Sequence, residues 1–263
     1  MKSLMISLAV AGAVAAASGA ALAQQSKPAP TGYLGEAAPD TFKILPPAPT
    51  PGTIRYQADR ATFLATRSLK DSPRWSLANA DADEAAIVKD MSCAIGMELT
   101  PQAAPMLTKI LMTARYDVRH AVNNPKDIYK RQRPYLIDEG DICVAKTDGL
   151  AKSPDYPSGH TTWGWAVGLI LAELVPDRST EILARARSFG ESRLVCGVHN
   201  MSAVEAGRTN GSIVVAGLHG SAQFRTDMDA ARKELSALRK SAKAPDGAAC
   251  SAEAELIARS PYN

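Results

Sequence analysis

The sequence contains no CxxC-type cysteine spacing, and its histidines and cysteines number only four each in 263 residues. A structural zinc centre is therefore not written into it. Aromatic residues make up 5% of the chain, too few for a sheet sandwich, which draws on Val, Thr, Tyr and Phe to fill its faces. One-sided charge is missing as well: 30 Lys and Arg stand against 27 Asp and Glu, a formal charge of +3. That balance gives no electrostatic reason for a nucleic-acid partner. No internal repeat is visible, and beyond the N-terminal segment no apolar run is long enough to cross a bilayer.

What is present is a chain that is 46% hydrophobic and rich in alanine, sufficient for one substantial core of closely packed helices. The expected fold is all-α, a single-domain helical bundle with a proline-rich N-terminal arm. Residues 1–23 read as a secretory signal peptide. Met1-Lys2 is followed by an apolar stretch from Leu4 to about Ala17 and by Ala21-Leu22-Ala23 before the polar Gln24-Gln25. No cysteine lies near that cleavage point, so a lipid anchor is not indicated, and a periplasmic or secreted protein without stable membrane insertion is expected. Residues 24–52, with Pro46-Pro47 and Pro49-Thr50-Pro51, form the arm; its Tyr33, Phe42, Ile44 and Leu45 are available for packing. The helical domain spans 53–240 and a tail 241–263. In an exported chain Cys93, Cys143, Cys196 and Cys250 are expected to pair. Three connectivities are open. Cys143 with Cys196 is favoured because both flank pieces of the candidate site described below, which leaves Cys93 with Cys250.

Periodicity and punctuation place helices over Ile54–Leu69 and Asp81–Met91, with Pro73-Arg74-Trp75 as a loop between them. After the start signal Thr100-Pro101, Leu107, Leu111, Ala114, Val118 and Ala121 define a core face expected to run out at Asn123-Asn124-Pro125. Tyr135 to Tyr156 lacks periodicity and reads as a loop crossing the site. The segment after Pro157-Ser158-Gly159-His160 is apolar on nearly every side, hence a central buried helix ended by Pro176-Asp177. Further helices follow over Ser179 to about Ser192 and over Met201–Leu218, where Gly207 and Gly211 permit close approach to a neighbour. From Asp227 onward the pattern is a charged amphipathic helix.

Three clusters carry chemistry: Lys126 followed after six intervening residues by Arg133-Pro134, the PSGH run at 157–160, and Arg193 before His199. A phosphate ester is an anion whose charge spreads over non-bridging oxygens in the transition state, so its site needs several fixed donors. Arg133 and Arg193 each offer a planar fork and Lys126 a point charge. Ser158 offers a hydroxyl, Gly159 a closely approaching amide, and the helix after PSGH its positive end. His199 reads as a nucleophile and His160 as a general acid, two roles that imidazoles fill near an unperturbed pKa of about 6.5. An acidic optimum follows, with no metal or other cofactor, since the cations already neutralise the phosphoryl charge. Lys130 and Arg131 read as solvated surface, His120 as a surface or capping residue, and His219 has no role.

This ordered set resembles the class A bacterial non-specific acid phosphatases, within the type 2 phosphatidic acid phosphatase superfamily that also holds vanadium haloperoxidases. The likeness covers roughly residues 40 to 235. It implies an all-helical fold, broad hydrolysis of small phosphate monoesters without metal, and homo-oligomers. It also implies His199 as nucleophile and His160 as general acid, with Lys126, Arg133, Ser158, Gly159 and Arg193 binding phosphate. One position departs. The family pattern has an aspartate four residues after the nucleophile, where this chain has Ala203; Glu205 replaces it only if the helix bends, and otherwise a backbone carbonyl or a carboxylate from elsewhere must orient the ring. Two alternatives use the same cradle: a vanadate-dependent haloperoxidase, and a phosphate-binding relative weakened at Ala203.

Overall fold

The computed structural model describes residues 31–262; the expected leader and residues 24–30 of the arm lie outside them. Among the described residues there is no strand, and the architecture is all-α. We label the principal helices α1 (Ile54–Thr66), α2 (Pro73–Ala80), α3 (Pro105–Tyr129), α4 (Gly159–Leu174), α5 (Ser179–Val195), α6 (Met201–Leu218), α7 (Ala222–Leu238) and α8 (Gly247–Ala258).

Helix α4 is the centre of the bundle. Ala166, Val167, Ile170 and Leu171 are all buried, so it is surrounded rather than laid on a surface, as a helix apolar on every side must be. It packs on α5, α6 and α3. Gly207 and Gly211 lie on the face of α6 that meets α4: a Cβ at either would come within 2.8 Å of a backbone oxygen, that of Ser158 or of Thr162. These two positions bring the start of α6 to the N-terminal end of α4, where the candidate residues converge.

Four local expectations are overturned, one of them the loop over Tyr135–Tyr156, which contains the short helix Asp148–Lys152 capped by Thr147. Pro73-Arg74-Trp75 is helical, because Ser72 caps α2 by accepting from the Trp75 N–H at 3.2 Å and Pro73 occupies the first helical position. The chain does not leave the helix at Asn123 either; α3 continues through Pro125 to Tyr129. A proline inside a helix strips the carbonyl four residues earlier of its partner. Here that carbonyl belongs to Ala121, and it accepts instead from Thr41 Oγ1 at 2.7 Å and Asn210 Nδ2 at 3.1 Å. Lys126 therefore sits on the last turn of α3. The helix expected over 81–91 is a 3-10 turn, Glu84–Ala86, followed by the short helix Ile87–Asp90.

The described part of the N-terminal segment lies against the bundle. The Tyr33 and Leu34 amides donate to Asp117, the Tyr33 hydroxyl donates to Asp227, and Tyr156 donates to the Pro46 carbonyl. Both disulfides, Cys143–Cys196 and Cys93–Cys250, are formed. No helix among the described residues is long and apolar enough to cross a membrane.

Candidate active site

A cavity of about 340 Å³ opens at the N-terminal end of α4 and is lined by Lys126, Arg133, Gly159, His160, Arg193 and His199 among others. Six of the seven residues singled out from sequence thus meet at one place. The seventh, Ser158, is fully buried as the N-cap of α4, its Oγ accepting from the Thr161 N–H and hydroxyl. This cap holds the first turn so that the amides of Gly159 and His160, which have no intrahelical acceptors, stand at the cavity with the helix's positive end.

The three cations are buried, yet none of them makes an ion pair among the described residues. Lys126 Nζ donates to the Pro154 carbonyl at 2.5 Å. Arg133 is held by the Ser153 carbonyl at 2.8 Å and the Val198 carbonyl at 2.7 Å. Arg193 keeps Nε and one terminal nitrogen buried and unpartnered. Burial, and next the neighbouring Arg133, lowers Lys126 to about 8 and Arg193 to about 10. Buried positive charges that depress one another make a setting in which a bound anion is favoured.

His199 is placed by the turn that links α5 to α6. Arg67 binds the carbonyls of Leu194 and Val195 at the end of α5, a cation where the helix dipole is negative. Gly197 then adopts φ +78°, a left-handed conformation that turns the chain sharply. Beyond it, Nδ1 of His199 lies 3.0 Å from Asp155 Oδ1 and Nε2 lies 3.1 Å from Arg133. A carboxylate can only accept and a guanidinium can only donate, so Nδ1 carries the proton and Nε2 the lone pair. Burial, followed by the charges of Arg133 and Lys126, pushes the imidazole well below its ordinary value, which keeps it neutral.

Asp155 is the functional residue that sequence reasoning missed. It is fully buried. It accepts hydrogen bonds from His199 Nδ1–H, from the Asn200 amide at 3.0 Å and from Asn200 Nδ2 at 2.9 Å, with Arg131 at 3.3 Å. Burial raises its pKa, while Arg131 and Asn200 oppose the rise. Arg131, expected as solvated surface, is buried; it also pairs with Asp59 at 2.6 Å, and Asp59 accepts the Ser202 N–H at 2.7 Å in the first turn of α6. Position 203 holds a methyl packed with Leu45 and Tyr156, and Glu205 is exposed on an uninterrupted helix. The ring is thus oriented by a carboxylate 44 residues away in sequence, a separation that no local pattern encodes.

His160 has a separate set of contacts. Its ring stacks on Phe189 with centroids 4.2 Å apart, its Nδ1 lies 3.3 Å from Glu84, and its Nε2 is buried without a partner. Burial first, then Arg193, lowers it to about 4 against the opposing pull of Glu84. Burial alone would raise the Glu84 carboxyl, but His160 and Arg115, to which it is bound, outweigh this and hold it at about 2. Lys130 and His120 are exposed. His219 pairs with Glu173 at the surface.

Residues 106–227 match the family described as the PAP2 superfamily. Over 221 residues, 81% of this chain and 82% of the relative, the sequence is 46% identical to an acid phosphatase of Zymomonas mobilis subsp. mobilis. It is 36% identical over 205 residues, 76% of this chain and 83% of the relative, to a non-specific acid phosphatase of Providencia stuartii. To the non-specific acid phosphatase of Salmonella typhimurium it is 33% identical over 198 residues, 73% of this chain and 78% of the relative.

Proposed function

Since the chain belongs to the PAP2 superfamily and, within it, to the non-specific acid phosphatases, it is a phosphoric monoester hydrolase, and we propose that it works through a phosphohistidine on His199 without a metal ion. The observation that carries this is the meeting of three buried cations, without ion pairs among the described residues, with two imidazoles at a single cavity. Lys126, Arg133, Arg193 and the first-turn amides of Gly159 and His160 hold the non-bridging oxygens and take up the charge that develops on them. The Nε2 lone pair of His199 attacks phosphorus while the ester P–O bond breaks, and the proton on His160 Nε2 passes to the departing alkoxide. Water then attacks the phosphorus, the P–N bond breaks, and His160 accepts the proton that water loses. Inorganic phosphate leaves, and both rings return to their starting states.

Asp155 supplies an orienting carboxylate, whose absence at position 203 raised the alternative of a weakened relative. That supports turnover, with Nδ1–H fixed toward Asp155 and the attacking nitrogen toward the cradle. A secreted or periplasmic location accords with two disulfides, which persist in oxidising compartments. The test is hydrolysis of 4-nitrophenyl phosphate: activity should survive chelator and vanish in His199→Ala. Rapid quenching of the native chain should trap acid-labile phosphate on His199. Full activity in that variant, or loss on chelation, contradicts the reading.

A further inference from the structure

An in-line displacement places the departing oxygen opposite His199 and therefore beside the general acid. Nδ1 of His160 is turned to Glu84, which leaves the unpartnered Nε2 for that oxygen. The carbon part of the ester must then leave the cradle past the neighbours of His160 on the cavity wall, namely Glu84, Arg115 and Trp163. Trp163 lies one helical turn after His160, on the same side of α4. Its ring lies beneath the Arg115 guanidinium at 4.9 Å, and its indole N–H is buried without a partner.

The same three residues line a second cavity of about 310 Å³. Its remaining wall is mostly apolar, including Ile87, Val88, Leu111 and Met112, and none of the three phosphate-holding cations takes part in it. Met112, on this wall, stands 55% exposed and so marks the open side of the cleft. Resting on the phosphatase reading above, we propose that this apolar cleft is the leaving-group subsite, and that it takes the aryl or otherwise apolar part of a phosphate monoester. The polar cavity holds the phosphoryl group common to all substrates, and the apolar one distinguishes the alcohols, since burying apolar surface favours the ester that has it. The chain therefore prefers aryl phosphates over phosphates of small polyols, whose hydroxyls find no partners against Ile87, Val88 and Leu111.

Two variants test the cleft without touching the cradle. Met112→Glu puts a carboxylate on its exposed lip, and Thr108→Phe fills it from α3, where Thr108 also lines the cleft. Kinetics with 2-naphthyl phosphate and glycerol 2-phosphate give a ratio of kcat/KM values. That ratio should exceed unity in the native chain and fall about tenfold in each variant. The inhibition constant of inorganic phosphate, which reads the cradle alone, should stay put. A ratio that holds within about twofold in both variants overturns the subsite while leaving the phosphatase reading intact. Failure of the native chain to hydrolyse either ester overturns that reading and the subsite with it.

Discussion

At the scale of single residues, the notable feature is an exchange of position. The carboxylate that holds the His199 imidazole need not follow it by one helical turn; it needs only to reach Nδ1. Asp155 does so from the segment before α4, while Ala203 fills the expected place with a methyl in apolar packing. Removing the acceptor frees the ring to rotate or change tautomer, so Asp155→Ser should lower kcat roughly 10²- to 10⁴-fold with little change in KM. Adding Ala203→Asp to that variant should recover part of the loss, whereas Ala203→Asp alone should destabilise the fold by burying a second carboxylate beside Asp155. Steady-state kinetics and thermal unfolding of the three variants decide this; failure of the double variant to regain any activity would sink the exchange. The pH profile follows from His160. On the proposed mechanism the acid form of His160 delivers the proton, and burial with Arg193 lowers its pKa in the free site to about 4. Above that value the competent fraction falls as pH rises, so kcat/KM should decline toward neutrality. Bound phosphate offsets the charge of Arg193 and should move the corresponding limb of kcat to higher pH. Glu84 raises the His160 pKa, so Glu84→Gln should shift the kcat/KM limb to lower pH and reduce activity at pH 6 by about tenfold. An unmoved limb would show that Glu84 does not act on the acid.

At the scale of elements, legibility divides along the line between local and distant contacts. The bundle class, the buried α4, the extent of α6 and the cluster of Lys126, Arg133, Gly159, His160, Arg193 and His199 are readable because each is announced by neighbours in the chain. The Ser72-Pro73 start of α2 is locally encoded too, yet it reads as a break, since proline signals both. What is not readable depends on partners far away. Asp155, Arg131 and Glu84 look like ordinary loop or surface charges until the fold brings them to an imidazole or to one another. Helix α3 is the clearest case, because Pro125 should have ended it. The Ala121 carbonyl that proline orphans is satisfied by Thr41 and Asn210, one from the N-terminal segment and one from α6. Without those donors the last turn, which carries Lys126, would lose its hold. Thr41→Val should therefore cost about 1 kcal/mol, and the cost should shrink in a Pro125→Ala background, where the helix supplies its own N–H to Ala121. Urea unfolding of the double-mutant cycle measures the difference. Equal costs in both backgrounds would mean that the Thr41 bond is not a substitute for the missing helical one.

At the scale of the whole molecule, the two disulfides close loops of comparable entropic weight but sit at different distances from the chemistry. Cys93–Cys250 joins residues 157 apart in sequence and ties α8 to the segment before α3. Cys143–Cys196 joins residues 53 apart, and beside it the Cys143 N–H donates to the Cys196 carbonyl at 3.0 Å. For a fully disordered unfolded chain, loop closure assigns about 5 kcal/mol to the first and about 4 kcal/mol to the second. For stability the pair is therefore nearly interchangeable. For catalysis it is not, because Cys196 begins the turn through Gly197 and Val198 to His199, and the Val198 carbonyl is one of the two that aim Arg133. Loosening that turn lets the His199 ring and the Arg133 guanidinium shift together, and a misplacement of about 1 Å at atoms that react, as the proposed mechanism has them do, can cost about a hundredfold in rate. Replacing Cys93 and Cys250 together with serine should lower unfolding free energy by about 3 to 5 kcal/mol and leave kcat of the folded protein within about twofold. Replacing Cys143 and Cys196 in the same way should cost a similar stability and at least about tenfold in kcat. Denaturant unfolding beside kcat, measured at a temperature where both variants remain folded, separates the two effects. If both pairs reduce kcat alike, the turn before His199 does not draw its rigidity from the neighbouring disulfide, and Arg67 with Asp155 suffices to hold it.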